Sequence, residues 1–139
     1  MPSFMFNSAL RDEAVGALDY DTDTFGVILL TNAAAPNKDT WTKRSDITNE
    51  VVGAGYTAGG ATVAVSVGAV DTANDRVDIS LGGNTWANAS ITARYAIYFK
   101  KRGGAATADE LVACNDFGAD IASTAAAFAL AASTYRKQN

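Results

Sequence analysis

The stretch Ile91–Phe99, ITARYAIYF, alternates between apolar and polar residues over its first half. Its odd-numbered positions are apolar or aromatic, whereas Thr92 and Arg94 between them are polar. A period of two predicts a β-strand with one face turned toward a core. Tyr98 has the opposite parity from Tyr95, which predicts that one of these two rings faces outward or into a second layer.

The same period occurs in two shorter runs, one at Val63, Val65 and Val67 and the other at Val77, Ile79 and Leu81. Turn-forming residues separate the runs: AGG at 58–60, DTAND at 71–75, LGGN at 81–84 and RGG at 102–104. The connections are too short for crossover helices, so the spacing favours an antiparallel meander or sandwich.

Three further segments complete the predicted strands. Residues 25–31, FGVILLT, are apolar at both parities, which indicates a central strand covered on both faces. The runs Glu110–Phe117 and Ala126–Tyr135 follow near the end of the chain. Because the second run is rich in alanine, a C-terminal helix is the alternative, but we favour a strand.

Residues 7–18 predict one amphipathic helix, because Asn7 and Ser8 are good N-caps and apolar residues follow at four-residue spacing. These apolar residues are Leu10, Ala14 and Leu18. The expected fold is therefore mainly β, an antiparallel β-sandwich or barrel with one short N-terminal helix. We expect residues 1–139 to form a single structural domain.

Composition limits the possible functions. The chain has 139 residues, 48% of them hydrophobic, and a formal net charge of −4, which argues against a nucleic-acid-binding protein. The N-terminal sequence does not resemble a signal peptide, and the longest apolar run, 125–132, is too short to span a bilayer, so no membrane association is expected. Without histidine, a Ser-His-Asp or Cys-His site cannot form, and the single cysteine, Cys114, is expected in the core.

Two motifs have features of ligand sites. The acidic residues Asp19, Asp21 and Asp23 have alternate spacing, but an EF-hand starting at Asp19 would need glycine where Thr24 stands. The run Gly53–Gly60 has the glycines of a phosphate-binding loop but lacks the following lysine, so we interpret it as tight turns with a tyrosine packed over the bend. No catalytic, cofactor-binding or metal-binding residue is predicted, and the chain is not expected to be an enzyme.

Residues 32–49, NAAAPNKDTWTKRSDITN, predict a long, partly ordered loop anchored by Trp41 and Ile47. Such a loop is either a partner-binding arm or a solvated connection. The strongest basic run, 100–102, lies at a strand end, where it is either a contact for an acidic partner or a solvated hairpin tip. The candidate partner-binding residues are Trp41, Lys43, Arg44, Lys100, Lys101 and Arg102.

The order of several segments resembles a family of small structural proteins of tailed bacteriophages. These segments are Asp21–Leu30, Trp41 with Ser45–Ile47, Glu50–Val51, Gly53–Gly60 and Trp86–Tyr98. The likeness extends from about Phe6 to Phe117, and GYTAGG and ARYA are its most specific parts. The family commonly ends in another strand, whereas this chain ends in an alanine-rich tail and YRKQN.

The resemblance implies a virion protein at the particle surface, made in the host cytoplasm, that decorates the capsid or acts as a head-fibre-like protein. It implies the major capsid protein or another virion protein as partner, together with self-association, and it brings no catalytic residue. One alternative is a tail, neck or collar component that self-assembles through exposed strand edges. Another is a carbohydrate-binding module, which would need Trp41 and Trp86 as exposed platforms.

Overall fold

The computed structural model describes residues 1–139 and is mainly β. Its strands are β1 (Phe4–Met5), β2 (Phe25–Leu30), β3 (Ala61–Val63), β4 (Val65–Val67), β5 (Arg76–Leu81), β6 (Asn84–Lys100), β7 (Leu111–Leu130) and β8 (Ser133–Gln138). The helix α1 spans Asn7–Ala14, and 3-10 helices cover Arg44–Asp46 and Ala106–Ala108. The prediction of a mainly β chain with one short N-terminal helix is confirmed. No helix has the length and apolarity needed to cross a bilayer.

The strands form two sheets in which every neighbouring pair is antiparallel. The larger sheet has the order β1-β7-β6-β2-β3, and the smaller has the order β4-β5-β8. The arrangement is sandwich-like and does not close into a barrel. Buried apolar side chains of both sheets belong to one cluster, which includes Phe99 from the larger sheet and Ile79 from the smaller.

Strand β2 is buried at all six positions, as its apolar character at both parities predicts. It pairs with β6 on one side and with β3 on the other, so it lies inside the sheet. Tyr98 of β6 is also fully buried, and its hydroxyl donates to the Gly82 carbonyl at 3.3 Å. Tyr98 therefore reaches the second layer, whereas Tyr95 is half-buried.

A single folded ribbon connects the two sheets. Only Gly82 and Gly83 separate β5 from β6, and only two alanines separate β7 from β8. Leu81 pairs with Ser133 before this bend, and the first pair after it continues the same register. That pair is Asn84 with Leu130. The strand pairs β5–β8 and β6–β7 are therefore two halves of one antiparallel ribbon that bends from one sheet into the other.

A third crossing lies at the same corner. Strands β3 and β4 belong to different sheets and are separated only by Ala64. The valine run at 63, 65 and 67 is thus two strands rather than one. The Gly82 amide donates to the Ala64 carbonyl at 2.7 Å, which joins the two crossings. A Cβ at Gly82 would lie 2.3 Å from that oxygen, and one at Gly83 would lie 2.1 Å from the Leu130 carbonyl oxygen. Only glycine permits this close backbone approach.

The helix differs from its prediction in length and in orientation. It ends at Ala14, because the next residues include Gly16 in the left-handed region at φ 78°. Leu10 is 49% exposed, and the buried helical residue is Ala9, whose small side chain fits close to the core. The N-cap position is occupied by Phe6 without a side-chain hydrogen bond, so the predicted capping by Asn7 and Ser8 is wrong.

The alanine-rich C-terminal segment is strand, as favoured from the sequence. Its residues pair with β6 and then with β5 across the bend. Phe128 and Leu130 are buried while Ala127 and Ala129 are exposed, which is the alternation of a strand with one covered face. Tertiary pairing here overrides the helix preference of alanine.

Gly83→Ala should destabilise the fold by roughly 2 kcal/mol or more, because the added methyl group would overlap the Leu130 carbonyl. Gly104→Ala is the matched control, since a Cβ there meets nothing within 4 Å. Its effect should stay within about 1 kcal/mol. Urea denaturation of both variants measures the difference, and equal stabilities would show that the ribbon bends without this constraint.

Candidate functional site

The segment containing Trp41 and Arg44 runs against the connection between β6 and β7. The Arg44 amide donates to the Asp109 carbonyl at 2.9 Å, and the Leu111 amide donates to the Thr42 carbonyl at 3.1 Å. The Asp46 carboxylate accepts the amides of Thr42 and Lys43 at 2.8 and 3.0 Å, which lowers its pKa. The predicted loop at 32–49 is therefore pinned by backbone contacts in its second half.

Asp109 is the first of two buried carboxylates beneath this segment. It is 1% exposed, and the Arg44 Nε donates to its Oδ2 at 2.7 Å. The Arg102 amide donates to the other oxygen at 3.0 Å. The Arg44 guanidinium also lies over the Phe99 ring, 5.4 Å from its centroid. One buried acid thus ties the 32–49 loop to the β6–β7 connection.

Glu110 is the second buried carboxylate, with 4% of its surface exposed. Arg102 donates to it from Nε at 3.0 Å and from Nη2 at 2.7 Å, and the Lys43 Nζ lies 3.4 Å away. Burial opposes ionisation of this group, but the hydrogen bonds and charge of Arg102 outweigh burial and lower the pKa of Glu110 to about 2.

We call Lys43, Arg44, Lys101 and Arg102 the basic corner. Four positive charges meet three negative charges there, those of Asp109, Glu110 and Asp46, which leaves a net charge of about +1 on a chain of net charge −4. A cleft of about 370 Å³ opens beside it. Its lining includes Arg44, Lys101, Phe99 and the glycine pairs at 59–60 and 103–104.

The structure brings together four of the six residues predicted to bind a partner. Lys100 is separate, because strand alternation points it to the other side, where it pairs with Asp23 at 2.8 Å. Its side chain is only 13% exposed and also donates to the Ala17 carbonyl. Trp41 precedes the corner in sequence and is half-buried against the core. Lys101 is exposed, and its Nζ donates to the Thr62 hydroxyl at 3.0 Å.

The acidic run after the helix forms a local turn. Asp19 Oδ1 accepts the Asp21 amide at 2.9 Å, and these backbone hydrogen bonds lower the pKa of Asp19. Asp23 accepts the Asp19 amide at 2.8 Å and faces Lys100. No group of three histidine, cysteine or acidic side chains has an arrangement that could hold a metal ion.

The glycine run at 53–60 is a structural bend with Tyr56 packed over it, as interpreted from the sequence. The Tyr56 hydroxyl accepts the Leu29 amide at 3.0 Å and donates to Glu50 Oε1 at 2.8 Å. Gly60 has φ 74°, and a Cβ there would lie 1.8 Å from the Val27 carbonyl oxygen. The run therefore holds two segments of backbone together.

One tryptophan, Trp86, and the single cysteine, Cys114, are buried in the core. Trp86 is 7% exposed and packs between Tyr56 and Phe128, with ring centroids 5.8 and 6.1 Å away. This position does not provide the exposed platform that a carbohydrate module would need. Cys114 is a buried core residue, as expected, and burial raises the pKa of its thiol to about 12.

Sequence reasoning missed the buried acids beneath the basic corner. The available signal was an acidic pair, Asp109–Glu110, which stands directly before the apolar run LVAC and begins seven residues after the basic run ends. Charged side chains are rarely buried without partners, so such a pair next to a strand indicates that cations elsewhere in the chain must neutralise it.

Comparison with models of protein families, with characterised proteins and with solved structures gave no match.

Arg44→Met should destabilise the protein by roughly 3 kcal/mol, because it leaves the Asp109 carboxylate buried without its cation. Arg11→Met is the matched control: Arg11 is 76% exposed and faces Asp12 at 3.7 Å. Its cost should be within about 0.5 kcal/mol. Thermal and urea denaturation test this, and equal losses in the two variants would contradict the role of Arg44.

Glu110 should also make stability depend on pH. Its pKa is about 2 in the folded chain against an ordinary value of 4.5, so its contribution is complete above pH 4.5 and is lost as the pH falls toward 2. Glu110→Gln should therefore be less stable than wild type at pH 7, and this difference should shrink over that interval. The exposed Asp21→Asn is the control, and urea denaturation at several pH values is the measurement. A difference that is constant from pH 7 to pH 2 would refute the assignment.

Proposed function

We propose that the chain is a non-enzymatic structural protein of a tailed-phage particle, which decorates or cements the capsid by binding the major capsid protein. The resemblance of its segments to small virion proteins provides the class. The observation that carries the binding role is the basic corner, a positively charged surface on an acidic protein.

The corner suits protein binding because its charges are held in place. Arg44 and Arg102 are fixed by the buried acids, so little side-chain entropy is lost when a partner docks. Lys101 has no ion-pair partner and remains free for a carboxylate of another molecule. The expected partner surface is therefore acidic, and binding should weaken as salt increases.

A decoration protein needs only weak binding affinity in each copy. A shell protein repeated many times binds through the sum of many weak contacts, so one small charged surface on a rigid β scaffold is sufficient. The apolar core and both buried acids stabilise that scaffold, and the binding residues lie on its connections.

The first experiment is the copy number of the protein in purified particles, measured by quantitative mass spectrometry relative to the major capsid protein. We expect one copy per capsid subunit or a simple fraction of that number. A handful of copies per particle would move the protein to the neck, tail or a vertex fibre, and its absence from particles would overturn the structural role.

The same particles test the basic corner. Lys101→Glu should weaken rebinding of the purified protein to particles that lack it by about fivefold per contact, because an attraction becomes a repulsion. Lys38→Glu is the control, an exposed lysine whose nearest ion-pair partner is its neighbour Asp39. If both variants bind like wild type, the corner is not the binding surface. Substitution is preferable to deletion of the loop, because Arg44 neutralises a buried acid.

A further inference from the structure

The cleft beside the basic corner is small and is lined largely by turn backbone. Its volume is about 370 Å³, and the segments 57–60 and 103–104 both contribute to its lining. Phe99 also lines it, with the Arg44 guanidinium over the ring. Pockets for small ligands have volumes of about 300–1,000 Å³, so this cleft has room for one side chain with its backbone and not for a folded element.

The fold does not require a glycine at position 104, which lines this cleft. Gly60 permits a close backbone approach, and Gly59 and Gly103 have φ of 92° and 84°, which favour glycine. Gly104 has no positive φ, and a Cβ there would meet nothing within 4 Å. The missing side chain at 104 therefore keeps the cleft open without serving the packing of the chain.

Several hydrogen-bond donors that line the cleft have no partner within the chain. Arg44 uses its Nε for Asp109, whereas neither of its Nη atoms donates to another group. The exposed amides of Gly103 and Gly104 make no hydrogen bond either. The Lys101 ammonium has no ion-pair partner. Because free donors and two cations line one cleft, the group that fits it is an anionic acceptor.

Charge and geometry favour a carboxylate as this acceptor. The basic corner has a net charge of about +1 on a chain of net charge −4, so a single negative charge is attracted while a polyanion is repelled by the rest of the molecule. The two Nη atoms of a guanidinium match the two oxygens of a carboxylate, and such charge-assisted pairs are stronger than neutral hydrogen bonds.

We propose that the cleft binds the side-chain carboxylate of one glutamate or aspartate on a partner protein. The Nη atoms of Arg44 and the ammonium of Lys101 hold the carboxylate, and the amides of Gly103 and Gly104 donate to the backbone of the same segment. This inference rests on the proposed function in assigning the basic corner to protein binding, and it names the group that the corner recognises.

The test is a titration of the isotope-labelled full chain, followed by NMR amide shifts, with the peptide acetyl-Gly-Glu-Gly-amide. The amides of Gly103 and Gly104 should shift and saturate, with a Kd on the order of 1 mM. The same peptide with glutamine in place of glutamate should bind at least about fivefold more weakly, because it lacks the charge. Inorganic phosphate is the third probe, and it should bind no more tightly than the glutamate peptide.

Two substitutions locate the site. Gly104→Leu should weaken binding of the glutamate peptide by about fivefold or more, because its side chain fills the cleft while every charge of the corner remains. Ala105→Leu is the matched control, an exposed neighbour outside the cleft lining, and it should bind like wild type. Lys101→Met removes one cation and should also weaken binding about fivefold, which keeps the test valid if Gly104→Leu fails to fold. The amide spectrum of each variant reports its folding.

A lack of saturable shifts with the glutamate peptide would overturn the carboxylate site, as would equal binding of the glutamine peptide, tighter binding of phosphate, or wild-type affinity in both cleft variants. The capsid role would survive that result if Lys101→Glu still lowers rebinding to particles. Conversely, a chain that binds the peptide in the cleft but is absent from particles would support the site and overturn the capsid role.

Discussion

The constraint on which the rest of the structure depends is the unbroken register of the ribbon at its bend. Pairing continues from Leu81 opposite Ser133 to Asn84 opposite Leu130, although the chain passes from one sheet to the other. A slip of one residue on either side would turn the buried residues of one sheet outward. The two glycines at the bend permit the change of direction, and the nearby crossing at Ala64 is tied to them by a hydrogen bond. Both layers of the core are therefore aligned by one local geometry.

Two buried acids, Asp109 and Glu110, organise the end of the ribbon that lies opposite the bend. Asp109 and Glu110 would be costly to bury alone, and their partners come from distant parts of the chain. Arg44 is 65 residues from Asp109, so this pair fixes the path of the long loop. The same contacts hold Arg44 and Arg102 at the surface, which is why stability and the proposed binding role cannot be separated at these two residues. Lys101 is the position where they can.

The sequence predicted most strands because each has a period of two or an apolar run, and these patterns depend on local burial alone. It did not reveal the ribbon, because a Gly-Gly pair at 82–83 looks the same in a reversal and in a bend. The predicted buried face of the helix was wrong, because the small residue Ala9 is buried there instead of the larger Leu10. The run at 100–102 reads as one basic group in sequence, but β6 ends at Lys100, whose side chain pairs with Asp23, whereas the Lys101 side chain donates to Thr62.

The folded ribbon also affects how quickly the chain can reach its native state. Its closest ends, Lys100 and Leu111, are joined by a connection of only ten residues, and every further pair lies one step farther out. Each step closes only a small additional loop once its neighbour has formed, so the ribbon can grow from this end at little entropic cost. The pairing of β1 with β7 instead joins Phe4 to Cys114 and must bring together remote parts of the chain. The interior strand β2 likewise pairs with β6 across a long separation, from Phe25 opposite Lys100 to Leu30 opposite Tyr95, so only the ribbon itself is assembled from steps that extend one hairpin.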